Sequence, residues 1–144
     1  DSIATRTRFL ENRSEVFLQT SRGKIKSRKK KKLKLSVVDM VYDKNNVFIV
    51  FELENRSRID FQLDFLKVYL SQGSRRKNAS FQKLLKKPVF TYQVPEVVEA
   101  RGKRKLVYVL PKFTLGENEQ IEVEIREDNG SRRLQLFLKE RRLR

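Results

Sequence analysis

At 144 residues with 38% hydrophobic content, the chain is long enough for one domain with a buried core. It contains no Cys and no His, which excludes disulfides, thiolate and imidazole zinc sites, Cys or His nucleophiles and the usual imidazole base. The formal charge of +16 makes polyanions and acidic surfaces natural partners, and no apolar run is long enough to span a bilayer.

The charge is uneven along the chain. Nine Lys and Arg and no acid fall within 22–34, so a boundary is expected near Lys32. Residues 1–32 read as a basic lead-in or linker, and 33–144 as a globular domain. In the lead-in Ile3, Leu10 and Phe17 recur every seven residues, a spacing that allows a short helix. The chain opens on Asp1 with no signal-peptide pattern, which reads as a processed product or a piece of a longer protein.

From Leu33 onward the pattern is that of strands. Leu33, Leu35, Val37 and Val41 alternate up to a turn at Asp43-Lys44-Asn45-Asn46, and 47–53 is apolar on both faces, as a central strand would be. Phe61, Leu63 and Phe65 alternate, and Leu66, Val68 and Leu70 then take the opposite phase, which predicts a bulge near Phe65-Leu66. Residues 75–88 read as a basic connection with a helical turn around 81–85. Residues 89–94 and 105–110 are two further strands. Asn129-Gly130 predicts a two-residue type I′ turn joining the last two. In that register Ile125 faces Leu134, Val123 faces Leu136 and Ile121 faces Leu138, while Glu122, Glu124 and Arg126 point to solvent.

The ordered set Phe51-Glu52-Leu53-Glu54-Asn55-Arg56-Ser57, Asp60-Phe61-Gln62-Leu63-Asp64-Phe65 and Tyr69 resembles the C-terminal domain of the TraN proteins of Bacteroides-type conjugative transposons. Gly102-Lys103-Arg104-Lys105, Leu110-Pro111-Lys112-Phe113-Thr114, Asn129-Gly130, Arg132 and Leu134 continue it in order, over roughly 33–143. Ser131 stands where the family often repeats Gly, and Lys29 to Lys32 are more basic than its pattern. The resemblance implies an exported part of the conjugation apparatus, comparable to the β-sandwich subunits of type IV secretion outer-membrane complexes. Its partners would be other subunits of that apparatus, its place the periplasm at the outer membrane, and it brings no catalytic residue and no cofactor.

Few residues offer a site. Glu122 and Glu124, about 7 Å apart on one strand face, have the separation of an inverting glycosidase pair, but a solvated strand face explains them better. Asp60 and Asp64 lack calcium-loop spacing and read as strand-edge charges. The five glycines are dispersed, with no phosphate cradle. The candidates for anion or nucleic-acid binding are the basic clusters: Arg22, Lys24, Lys26, Arg28, Lys29, Lys30, Lys31 and Lys32, then Arg75, Arg76 and Lys77, then Arg101, Lys103, Arg104 and Lys105. A solvated linker and loop tips account for the same charge, and an anionic membrane surface would attract it too.

The expected fold is therefore all-β, an immunoglobulin-like antiparallel β-sandwich of about seven strands with a basic, partly helical lead-in. The expected role is a non-enzymatic structural and interaction subunit of conjugative transfer, working without cofactors or metals and assembling through sheet edges and loops. The rival is a nucleic-acid-binding β domain of barrel type that grips DNA with its basic loops and the 22–34 tract.

Overall fold

The computed structural model describes residues 2–73 and 81–139. One helix, α1 (Ile3–Gln19), precedes ten strands: β1 (Lys26–Lys30), β2 (Leu33–Asp43), β3 (Asn46–Asn55), β4 (Phe61–Gly73), β5 (Phe81–Lys86), β6 (Phe90–Tyr92), β7 (Val97–Val98), β8 (Lys103–Pro111), β9 (Glu119–Glu127) and β10 (Arg133–Leu138). They form two antiparallel sheets, ordered β1-β2-β3-β8-β6 and β10-β9-β4-β5, with β7 paired to β4. The fold is an all-β sandwich rather than a five-stranded barrel.

Alternation builds the core. Leu33, Leu35, Val37, Phe51, Leu53 and Leu106 of the first sheet meet Leu66, Val68, Ile121, Val123, Leu134 and Leu136 of the second, and all are buried. Tyr108 crosses between the sheets and donates to the Leu66 carbonyl at 2.8 Å, and burial pushes its hydroxyl up to about 12. The register of the last hairpin is as the apolar alternation predicts, with Ile125 on Leu134, Val123 on Leu136 and Ile121 on Leu138. A register shift between Leu63 and Phe65 lies one residue from the predicted bulge, and a second falls between Val37 and Asp39.

Three expectations are corrected. The tract expected as a linker is strand β1, paired along its length with β2. Its turn, Lys31-Lys32, has left-handed φ at both residues (51° and 63°), the signature of type I′. Lys26, Arg28 and Lys30 take the core-side phase at the sandwich rim yet stay exposed, and charges at such an edge disfavour further strand pairing. The helical turn expected around 81–85 is strand β5, held by β4. At the last hairpin only Asn129 has left-handed φ (55°), so the turn is not type I′. Asp128 N–H donates instead to the Gln62 carbonyl (2.8 Å), and ladder bonding resumes with Glu127 N–H on the Arg132 carbonyl (2.8 Å).

The seven-residue spacing does produce a helix. Ser2 caps α1 by accepting from Thr5 N–H at 3.0 Å. Leu10 and Phe17 pack on the outer face of the first sheet against Val38, Val41, Phe48, Val50, Val107 and Val109, whereas Ile3 remains exposed. Arg13 clamps the helix to the end of β2 through Asp43, at 2.9 and 3.2 Å. No helix among the described residues is long and apolar enough to cross a membrane.

Candidate functional site: a divided sheet face

The outer face of the first sheet changes character halfway along three strands at the same level. On β3 the outward residues run Phe48, Val50, Glu52, Glu54; on β8 their partners run Val109, Val107, Lys105, Lys103. On β2 the opposing residues run Val41, Asp39, Ser36, Lys34. Helix α1 covers the apolar half. The connection after it crosses the divide, placing Arg22 Nε 2.9 Å from the fully buried Asp39 and Lys24 Nζ 3.3 Å from Glu52. Arg22 is thereby part of the scaffold, since a buried carboxylate needs a charged partner.

The other half is cationic, with Lys24, Lys29 and Lys103 exposed and Ser36 and Glu52 buried. Cross-strand pairing sets Lys29, Lys34, Glu54 and Lys103 in one row, and Ser27, Ser36, Glu52 and Lys105 in the next. Lys24 and Arg56 flank these rows through their contacts with Glu52 and Glu54. The Lys24 charge, followed by partial desolvation and by Arg56, pulls the Lys34 ammonium below its ordinary range. The Arg56 hydrogen bond holds Glu54 below the usual carboxylate range.

The remaining basic candidates are dispersed. Arg28 reaches across the rim to the Gln135 carbonyl at 3.2 Å, and with Lys30, Arg133, Leu134 and Gln135 it lines a shallow groove of about 290 Å³ between β1 and β10. Lys26 lies further along that rim, and Lys31 and Lys32 form the exposed turn. Arg101 is an exposed turn residue with left-handed φ, and Arg104 pairs with Glu99 at 2.6 Å. Arg75, Arg76 and Lys77 lie outside the described residues. The structure thus gathers Lys24, Lys29, Lys34, Lys103 and Lys105 onto one face and adds Arg56, which clustering along the sequence did not single out.

The carboxylates of β9 are not solvated as expected. Glu122 is fully buried and Glu124 is 9% exposed. The cause is position: β9 lies between β10 and β4, and long side chains from both neighbours and from β5 close over it. Lys83 Nζ (3.1 Å) and Gln135 Nε2 (3.2 Å) donate to Glu122 Oε2, and Tyr69 OH (3.3 Å) donates to Glu124 Oε1. Burial, then the Glu124 charge, raises the Tyr69 hydroxyl above its ordinary value. Asp60 accepts from Ala100 N–H at 2.9 Å, and Asp64 is exposed. No group of three or more carboxylates is placed to hold a metal ion among the described residues.

A buried network at one end of the sandwich was not foreseen. Arg132, 6% exposed, donates twice to Glu127 (Nη2 to Oε2 at 2.8 Å, Nε to Oε1 at 3.1 Å), and reaches Asn55 Oδ1, Ser57 Oγ and the Asp60 carbonyl. Its guanidinium also lies 5.3 Å from the Phe61 ring centroid. These bonds to Arg132 hold the Glu127 carboxyl below its usual range. The network ties the β3–β4 loop to the last hairpin and joins the two halves of the ordered motif set. The available signal was that Asn55, Ser57, Asp60 and Arg132 of that set sit at or just beyond strand ends.

A family profile described as a domain of unknown function, DUF4138, matches residues 9–144. The chain belongs to this family. The DUF4138 match takes in most of α1 and all of β1, the segments that pack on the sandwich ahead of Leu33. No curated protein and no solved structure matches the chain significantly.

Proposed function

We propose that this DUF4138 domain is a non-enzymatic structural and interaction subunit of a conjugative DNA-transfer apparatus of the type IV secretion kind, working in the periplasm at the outer membrane. The likeness of its ordered motifs to the TraN family supports this reading. So does their placement: Asn55, Ser57, Asp60 and Arg132 fasten loops to strands, which is work for a scaffold.

The observation that carries assembly is the β5 edge. Strand β5 ends its sheet and pairs only with β4 among the described residues, and it exposes Leu84 and Leu85 at 62% and 42%. Such an edge accepts an added strand by backbone hydrogen bonding, with alternate side chains setting specificity. The other edge of this sheet, β10, is less free, because Arg28 of β1 occupies the Gln135 carbonyl.

The test is Leu84→Lys with Leu85→Lys in the full-length protein, read as co-purification with other transfer components and as conjugation frequency. Both positions are exposed, so folding stability should move by less than about 0.5 kcal/mol per site. Loss of both readouts in a stably folded variant is the expected result. Wild-type assembly and transfer would remove the β5 edge from the account, and undiminished transfer on deleting the whole domain would remove the conjugation role.

A further inference from the structure

The two rows of charge on the first sheet are arranged at a cost to the fold. Lys29 and Lys34 face each other directly across β1 and β2, a like-charge pair that destabilises a sheet. Lys24, across from neither, adds its charge to Lys34. Lys24, Lys29, Lys34, Arg56, Lys103 and Lys105 share this half-face with only two carboxylates, Glu52 and Glu54. A surface that needed only to be wet would alternate its signs; local conflicts of this kind concentrate where a ligand relieves them.

We propose that this cationic half-face binds double-stranded nucleic acid through its phosphates. Four strands, β1, β2, β3 and β8, carry the row from Lys29 to Lys103, so it spans about 14 Å at ~4.8 Å per strand. That matches about four phosphate-to-phosphate steps of one strand at ~3.4 Å each along the axis. The outward residues of the two rows are Lys, Ser and Glu, with no aromatic ring, so there is no platform on which an unpaired base would stack. None of the exposed large apolar side chains lies on these four strands, so the face has nothing to insert into a membrane. Glu52 and Glu54 fit the same role by holding Lys24 and Arg56 at the rows' flanks. This surface lies on the opposite sheet from the β5 edge, and its failure or success is independent of the assembly reading.

The test is anisotropy of a labelled duplex of about 20 base pairs, of arbitrary sequence, titrated with the whole chain at several salt concentrations. Lys29→Glu with Lys34→Glu is compared with Lys86→Glu with Lys87→Glu, which changes net charge equally at the other sheet. Wild type should show a log–log salt slope of about −3 to −4. The first variant should bind at least about tenfold more weakly and lose about 1.8 from the slope, whereas the second should stay within about threefold. Should the double variant fail to fold, Lys34→Thr should still weaken binding by about threefold, with a slope loss near 0.9. Equal weakening by both double variants, no duplex binding by wild type at low salt, or a loss seen only with anionic phosphatidylglycerol vesicles would each overturn the proposal.

Discussion

The outer faces of the two sheets follow the same alternation and end in opposite electrostatic states. On the second sheet Glu122 and Glu124 meet Lys83, Arg133, Tyr69 and Gln135, and Lys67 lies 4.2 Å from the Phe65 ring centroid, so charge is neutralised and partly buried. On the first sheet Lys24, Lys29, Lys34 and Lys103 gather around two carboxylates and stay largely in water. A strand's polar phase is therefore not one kind of surface. Neutralised polar residues serve the fold, and concentrated like charges need a reason outside it.

The comparison is tested most severely where charge is most buried. Arg132→Met would strand the Glu127 carboxylate, 10% exposed, and release the β3–β4 loop, and should cost about 3–5 kcal/mol by denaturant midpoint. A cost under about 1 kcal/mol would mean that the network only decorates the sandwich end. The same pair has a pH signature. The folded carboxyl of Glu127 titrates below its ordinary value of 4.5, so its stabilisation is full above that value and is lost as pH falls through the folded pKa. Acid sensitivity below about pH 4.5 should accordingly be smaller in Arg132→Met than in the wild type.

Next is the charged pair of the second sheet, whose members differ in exposure. Lys83→Met leaves the fully buried Glu122 carboxylate without its cation and should cost about 1–3 kcal/mol. Glu122→Gln leaves Lys83 its access to water and should cost less. Thermal or chemical denaturation that reversed this order would show that Glu122 is not the member held by the fold.

Gly130→Ala should cost about 1–2 kcal/mol. A Cβ there would run into the Glu127 side chain, whose carboxylate Arg132 holds in place. The glycine is required for room rather than for left-handed φ, so Gly130→Ala in an Arg132→Met background should cost measurably less than in the wild type.

The smallest effect should come from the first sheet. Lys34→Thr removes one cation from a repulsive row and places a β-branched residue in a strand, so stability should stay within about 0.5 kcal/mol or rise. A clear loss of stability would mean that Lys34 is paired and that the two faces are alike after all.

Local pattern made much of this fold legible. Ile121, Val123 and Ile125 against Leu134, Leu136 and Leu138 admit one register, because a one-residue slip would put charge in the core. β1 was invisible for the converse reason: Lys26 to Lys30 contain no apolar residue, and the strand exists because β2 offers it a hydrogen-bonding edge. β5 was read as helical because Phe81, Leu84 and Leu85 suit either period, and only β4 alongside settles the matter. At the Asn129-Gly130 turn Asp128 N–H bonds the Gln62 carbonyl, a partner that the turn's own four residues do not reveal.

What the sequence by itself determined was which residues alternate, which of them are apolar and where strands must stop, since these depend on neighbours one to four positions away. The tertiary structure alone decided that Glu122 is buried, that Arg132 closes a network with Asn55 and that Lys24, Lys29, Lys34 and Lys103 share one face. The physical reason is that burial and charge neutralisation are set by strands about 5 Å away in space. Those strands lie dozens of residues away along the chain.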